Sequence, residues 1–353
     1  MRTSFSARIF SAATALAVAL ASAGAAQAGP AVLVDLATGK VLEQEDAFVP
    51  WYPASLTKLM TTFVRAAKER PSKMGYKPGS VLTVDNAIKI LMVKSANDVA
   101  TAVAESIAGS HADYAKRMNA EAARLGMSGT RFVNAHGWHA ETQMTTARDM
   151  AVLAMAMRNE FPEYRHYYSI EALAAEGKIM ENSNDLMLRF EGADGMKTGY
   201  TCPSGFNLVA SATRGGRSLL AVVLGEPTVE ARADKAANML ARGFGLPGDA
   251  APYLGQLRPS GAEPASAADL RPVICTEAHW KAVTEARGPT GKPAYTSPYL
   301  SKEPLHKPQA VAVALGGATG PKPDVPVYAN VPIPTPRPAY TPDAMAESGA
   351  QGG

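Results

Sequence analysis

Two pairs of short β-like runs stand on either side of a helical block, and this order constrains the fold more than any other feature of the chain. Residues 31–36 and 41–45 are partly apolar runs split by Ala37-Thr38-Gly39-Lys40, which reads as a hairpin. Residues 205–213 and 218–224 are split by Arg214-Gly215-Gly216-Arg217, a second hairpin. Between them, residues 54–70 carry Leu56, Leu59, Met60, Phe63 and Val64 at helical spacing. Residues 85–92, 97–107, 114–125 and 145–157 continue the helical pattern, with Gly126 as a stop and Thr145 or Thr146 as a cap. After the second hairpin, residues 228–242 return to helical periodicity and end at Gly243. A sheet whose strands come from both ends of the chain, with helices packed on it, is the economical solution.

The chain is long enough to build that core. It has 353 residues, 46% of them apolar. That excludes a disulfide-held mini-protein, and a chain too polar to collapse. The first 28 residues read as an address: Arg2 and Arg8, an apolar run over 10–21, then Ala26-Gln27-Ala28 as a small-x-small cleavage site. The run is too short and too rich in Ala for a membrane span, so a cleaved secretory signal peptide is expected, with the mature chain starting near Gly29. Its loss takes the formal charge from +3 to +1, a balance that gives no support to nucleic-acid binding. No later window reaches 18 apolar residues, and no second membrane segment is expected.

An exported chain meets an oxidising compartment, where the two cysteines, Cys202 and Cys275, either pair or remain buried thiols. Their spacing fits no metal site. Residues 259–268 read as linker, and 271–283 as a segment able to pack on the main domain. Residues 321–342 hold 8 prolines in 22 positions, which excludes helix and inner strand there. The expected division is 1–28 signal peptide, 29–250 catalytic domain, 251–310 short and poorly patterned extension, and 311–353 Pro-rich disordered tail.

Three short motifs carry chemistry. In Ser55-Leu56-Thr57-Lys58 a helix puts the hydroxyl and the amine on one face. Serine is a poor nucleophile until a base takes its proton, and a lysine that is desolvated or near other cations can be that base. In Ser95-Ala96-Asn97, Ser95 suits a proton relay. Asn97 suits a grip on Lys58 and on a substrate amide; either residue would also serve as a plain helix N-cap. In Lys197-Thr198-Gly199, ahead of the 205–213 strand, a glycine lets a substrate backbone approach, and Lys197 and Thr198 suit a carboxylate. Each motif alone is common: a surface helix turn, a cap, a hairpin end. All three in this order, with first positions 40 and then 102 residues apart, form a recognised set.

The chain over roughly residues 29–245 resembles the low-molecular-mass penicillin-binding proteins, serine-type D-alanyl-D-alanine carboxypeptidases of peptidase family S11. The likeness extends through Pro53-Ala54-Ser55-Leu56-Thr57-Lys58-Leu59-Met60-Thr61 and Leu91-Met92-Val93-Lys94-Ser95-Ala96-Asn97-Asp98. It continues through Phe132-Val133-Asn134-Ala135-His136-Gly137, Asp194-Gly195-Met196-Lys197-Thr198-Gly199-Tyr200-Thr201 and Gly205-Phe206-Asn207-Leu208-Val209-Ala210-Ser211-Ala212. The resemblance implies an α+β fold, an antiparallel sheet flanked by helices with an all-helical subdomain, of the β-lactamase/transpeptidase kind. It implies Ser55 as acylated nucleophile, Lys58 as general base, and Ser95 and Asn97 completing the catalytic set. By the same resemblance Lys197, Thr198 and Gly199 would line the strand side of the cleft. The backbone N–H groups of Ser55 and Thr201 would form the oxyanion hole, and Arg232 would hold the substrate's terminal carboxylate. The implied reaction removes the last D-Ala from peptidoglycan stem peptides, without metal or organic cofactor, and β-lactams acylate the same serine as covalent inhibitors.

This family's best-known members add a small β-rich domain and a C-terminal amphipathic membrane helix. Here a Pro-rich tail stands instead, so the expected location is the periplasm, either soluble or peripherally associated with the inner membrane. Three other functions share parts of this sequence signature. A D,D-endopeptidase carries all three motifs. A class A β-lactamase needs a glutamate-bearing loop that Glu160, Glu163 and Glu171 do not match, and a non-enzymatic wall-peptide binder has no need of Ser55, Lys58 and Lys197 together.

Overall fold

The structure, a computed structural model, describes residues 29–61, 73–77, 80–248, 251–259, 261–262 and 264–316. The signal segment, residues 62–70 of the first expected helix and the tail beyond residue 316 lie outside the described residues. The chain opens with the expected hairpin, β1 (Ala31–Asp35) and β2 (Val41–Glu45). Asp35 organises its turn by accepting from the N–H groups of Ala37 and Thr38. A 3-10 helix follows at Ala54–Leu59, then α1 (Val84–Val93), α2 (Asn97–Ala108), α3 (His111–Arg124) and α4 (Ala147–Glu160). Thr83, Ser110 and Thr146 cap α1, α3 and α4 through their hydroxyls. Helix α2 differs: its N-cap is Ala96, which has no side chain to cap with.

A hairpin of β3 (Ala172–Ala175) and β4 (Lys178–Glu181) and the short α5 (Leu186–Arg189) lead to β5 (Ala193–Thr201), β6 (Gly205–Arg214), β7 (Arg217–Glu226) and α6 (Val229–Gly245). The main sheet has the order β2-β1-β7-β6-β5, antiparallel throughout. Both faces of its centre are buried, and strand alternation divides the side chains between them. Val32 and Val34 of β1, with Leu220, Val222 and Leu224 of β7, face the helical block and pack with α1, α2 and α4. Ala31, Leu33, Leu219, Ala221 and Val223 face the other way, against Ala233, Ala236, Ala237 and Leu240 of α6. The β5 side of this sheet is an edge, and the Ala54–Leu59 turn lies against it.

Residues 251–316 are more ordered than their composition suggests. They form α7 (Arg271–Ile274), α8 (Glu277–Arg287) and β8 (Ala310–Ala312), which pairs parallel to β3 in a second sheet of order β4-β3-β8. Cys202 and Cys275 are joined as a disulfide, which ties the start of this extension to the end of β5. The Arg214/Arg217 pair at the β6–β7 hairpin is anchored to the rest of the domain. Arg217 pairs with Asp35 at 2.8 Å and donates to the carbonyls of Gly243 and Leu246 at the end of α6, while Arg214 lies over the Phe190 ring. No helix among the described residues is long and apolar enough to cross a membrane.

Candidate active site

Ser55 and Lys58 sit in the Ala54–Leu59 turn, which is a 3-10 helix in the structure. Three residues per turn eclipse positions i and i+3, so the pair is aligned more closely than an α-helix would allow. Lys58 Nζ lies 3.1 Å from Ser55 Oγ. It also donates to Asn97 Oδ1 at 2.7 Å and to the backbone carbonyl of His136. Two of these three neighbours are carbonyl oxygens and can only accept. A neutral amine has two N–H groups for them and one lone pair, which is left for the Ser55 hydroxyl proton. Electrostatics favours that state: Lys58 is 1% exposed, and burial, assisted by the nearby Lys197 charge, holds its amine well below the ordinary lysine range.

The backbone around this pair is held in unusual conformations. Ala54 has φ +47° and Ser95 φ +57°, the left-handed region that costs a non-glycine residue roughly 1–3 kcal/mol unless its surroundings enforce it. At Ala54 the enforcing neighbour is Gly137. A β-carbon on Gly137 would stand 1.9 Å from the Ala54 carbonyl oxygen, so only glycine lets the His136-Gly137 loop lie against the nucleophile turn. That contact also brings the His136 carbonyl to Lys58. Ser95 forms the turn between α1 and α2, with its N–H donating to Ile90 O at 2.9 Å. Asn97 opens α2, but its side chain is turned to Lys58; neither Ser95 nor Asn97 is the N-cap.

Strand β5 supplies the opposite wall. Lys197 is 1% exposed, its Nζ donates to Thr198 O at 2.8 Å, and burial together with the Arg232 charge pulls its amine down to about 7. Thr198 Oγ1 is hydrogen-bonded to Ser183 Oγ at 2.8 Å. Gly199 faces the nucleophile turn, where a β-carbon would be 3.0 Å from both Pro53 O and Ser55 N. Arg232, from the first turns of α6, is a buried rather than a solvated residue, 3% exposed. It donates through Nη2 to Ser183 O at 2.9 Å and to Asp185 Oδ2 at 3.2 Å. Its Nε has no hydrogen-bond partner among the described residues.

Thr201 departs from expectation. Its N–H donates to Ser204 Oγ at 2.9 Å, and its carbonyl accepts from Ser204 N at 3.0 Å, so its peptide groups are engaged on the β6 side. Backbone groups alternate sides along an edge strand, which turns the N–H of Tyr200 to the open edge instead. The Thr201 N–H expected at the oxyanion hole is thus already engaged by Ser204. His136 is the other residue not singled out for a role. Its contribution is a main-chain carbonyl, which no side-chain pattern reveals; burial above all pulls its ring down to about 3, so the imidazole is neutral. Among the described residues, no cluster of three or more His, Cys, Asp or Glu forms a metal site.

A serine whose hydroxyl meets a buried lysine amine, beside an open strand edge, defines an acyl-transfer site. The comparisons with known proteins agree. The family model for peptidase family S11, D-alanyl-D-alanine carboxypeptidase, matches residues 17–70 and 65–228, and the chain belongs to that family. It is 36% identical over 240 residues to the D-alanyl-D-alanine carboxypeptidase DacD of Escherichia coli, covering 60% of this chain and 62% of that protein. The chain thus spans less than two thirds of that relative's length. It is 31% identical over 247 residues to DacB2 of Mycobacterium tuberculosis, covering 62% of this chain and 84% of that one. Among solved structures, penicillin-binding protein 6B of Escherichia coli aligns with a TM-score of 0.57 at 34% identity, over 63% of this chain and 78% of that one. The fold is the α+β arrangement expected, an antiparallel sheet flanked by helices.

Proposed function

We propose that the chain is a serine-type D-Ala-D-Ala carboxypeptidase that removes the terminal D-Ala of peptidoglycan stem peptides through an acyl-enzyme on Ser55. The observation that carries this reading is the hydrogen-bonded line of Ser55 Oγ, Lys58 Nζ and Asn97 Oδ1 at 3.1 and 2.7 Å. Lys58, neutral in its buried place, takes the Ser55 proton as Oγ attacks the penultimate D-Ala carbonyl. The N–H groups of Ser55 and Tyr200 receive the oxyanion. The new bond is the Ser55 ester; the bond that breaks is the peptide to the last D-Ala. The leaving amine takes its proton from Lys58 through Ser95. Water then attacks the ester carbonyl, Lys58 takes its proton and passes it to Ser55 Oγ as the ester bond breaks, and the shortened stem peptide leaves with Ser55 and neutral Lys58 restored. Asn97 steadies both Lys58 and the substrate amide.

The leaving residue ends in a carboxylate. Lys197, Thr198 and Arg232 supply cationic and hydroxyl groups on that side, and the unused Nε–H of Arg232 is a donor without an acceptor among the described residues. Gly199 keeps the strand close enough for the two oxyanion donors to act together. A β-lactam presents a strained amide and a carboxylate in similar positions, so it acylates Ser55 too. A penicillin-binding protein from Listeria monocytogenes, 26% identical, has been solved in an ampicillin-bound form. The basic, apolar and small-residue segment at 1–28 supports export to the periplasm. Residues 29–250 would be the catalytic domain, 251–310 the extension and 311–353 the tail, whose first two residues complete β8.

The test is acylation by a labelled penicillin, with native chain and Ser55→Ala compared by intact mass. One penicillin adduct on the native chain and none on Ser55→Ala is expected, together with D-Ala release from a pentapeptide. An unlabelled native chain overturns the reading.

A further inference from the structure

The described part of the C-terminal extension embraces both elements that hold Arg232. On α6, Glu230 and Asp234 are four residues apart and share a face. Both are gripped by the extension. Arg287, the last residue of α8, pairs with Glu230 at 2.7 Å. The N–H groups of Thr296 and Ser297 and the Thr296 hydroxyl donate to Asp234 at 2.9, 3.0 and 2.6 Å. Arg232 lies between these anchors in sequence and on the other side of the helix.

The second element is the Ser183–Arg189 stretch, which accepts from Arg232. Ser301 N donates to Arg189 O at 2.9 Å, and Leu305 N to Leu188 O at 2.8 Å. Tyr295 sits between the two anchors. Arg189 lies over its ring at 5.1 Å, and its hydroxyl faces the Asp185 carboxylate, the acid that pairs with Arg232. Burial, with the Asp185 charge, pushes that phenol up and keeps it a neutral donor. A third contact comes through α8: Trp280 packs edge-on to Phe206, 6.5 Å between ring centroids, and Arg232 lies over the same Phe206 ring at 5.9 Å. The disulfide of Cys202 and Cys275 fixes where this wrap begins, three residues past Gly199.

We propose that residues 275–297 of the extension set the carboxylate subsite, with Tyr295 and Arg287 as positioning residues that hold Arg232 through Asp185 and Glu230. This rests on the carboxypeptidase reading for the identity of the ligand, a peptide ending in a free D-Ala carboxylate. Neither residue touches substrate. Tyr295 fixes the acid that orients the guanidinium, and Arg287 fixes the helix turn from which it projects.

The test measures binding, so that it does not depend on turnover. Calorimetry on full-length Ser55→Ala compares N-acetyl-D-Ala-D-Ala with its C-terminal carboxamide. The acid is expected to bind better, since a charge-assisted hydrogen bond is worth about tenfold or more. Adding Tyr295→Phe, or Arg287→Gln, is expected to cut that acid-over-amide preference about five- to tenfold, while Arg287→Lys keeps most of it. A purely structural role would lower the thermal midpoint and leave the preference alone, and that result overturns the proposal. Equal binding of acid and amide by Ser55→Ala overturns it as well, because there is then no carboxylate subsite to position. Penicillin labelling of the native chain reports separately on the nucleophile, so failure of this inference and failure of the catalytic reading are told apart.

Discussion

The α-carbon of Gly199 is turned toward the nucleophile turn so closely that a β-carbon there would stand 3.0 Å from the amide nitrogen of Ser55. Two backbones from distant parts of the sequence are thus in direct apposition. That contact sets the spacing between the Ser55 and Tyr200 N–H groups. In Gly199→Ala the added methyl meets Pro53 O, Ser55 N and Leu56 N, all main-chain atoms that move only together. A displacement of an ångström is worth about 100-fold in a positioned reaction. The expected result is a labelled-penicillin acylation rate lower by about 10- to 100-fold, with a thermal midpoint close to native. An unchanged rate would mean that the strand and the turn are not coupled.

Gly137 makes the tighter of the two glycine contacts. Gly137→Ala suffers both a φ of +82° and a 1.9 Å approach to Ala54 O. Left-handed backbone and overpacking each cost about 1–3 kcal/mol, so a loss of about 3 kcal/mol or more is expected in urea unfolding. A loss below about 1 kcal/mol would contradict the packing described.

Lys58 links catalysis and stability with opposite signs. Removing a general base lowers rate by about 10²- to 10⁴-fold, and Lys58→Met is expected to lose acylation on that scale. Its folded-state amine is held well below the ordinary value of 10.5, so between those limits the unfolded chain binds a proton that the native chain does not. Native stability from this group therefore rises with pH up to the unfolded value and is lowest at acid pH. Against Lys58→Met, the native chain should gain stability as pH is raised. Parallel stability curves would show that Lys58 is not desolvated.

Lys197 sets the other limb. Its amine is pulled down to about 7, so its positive charge is lost as pH rises through that value. Acylation by a carboxylate-bearing substrate is expected to fall above about pH 7. In Lys197→Arg the charge persists, and the falling limb should vanish from the pH–rate profile. A limb unchanged in that variant would assign it to another group.

The Cys202–Cys275 bond closes a loop across 73 positions. A cross-link of that span stabilises by about 2–4 kcal/mol. The paired Cys202→Ser and Cys275→Ser variant should show a lower unfolding midpoint, read by differential scanning calorimetry. An unaltered midpoint would mean that the extension is held by its other contacts alone.

The proposed catalytic residues were legible in the sequence because side-chain chemistry at fixed spacing is a local signal. Ser55, Lys58 and Asn97 converge as their motifs imply. What stayed hidden was carried by main chain or by short elements. The His136 carbonyl and the Tyr200 N–H have no residue-type signature. Thr201 looked available because sequence does not show that Ser204 reaches back to its amide. Strands of three or four residues, such as β3 and β8, are too short for a period to emerge, so their pairing is decided by tertiary contacts. The expected helix over 54–70 begins instead as a 3-10 turn, an adjustment made where Gly137 and Gly199 press on the same backbone.

The pairing of β1 with β7 joins Ala31 to Val223 and Asp35 to Leu219. Every residue of β1 is buried, yet the strand that covers its second edge is made almost two hundred positions later. Any product that stops short of Arg217 carries an apolar hairpin with one bare ladder edge, the kind of surface that recruits other chains. Closure of the main sheet is therefore a late and non-local event, and folding should be slow for a chain of this size. The same order gives the molecule a built-in check on completeness: the groove at Ser55 takes shape only in a chain synthesised far enough to finish the sheet that supports it.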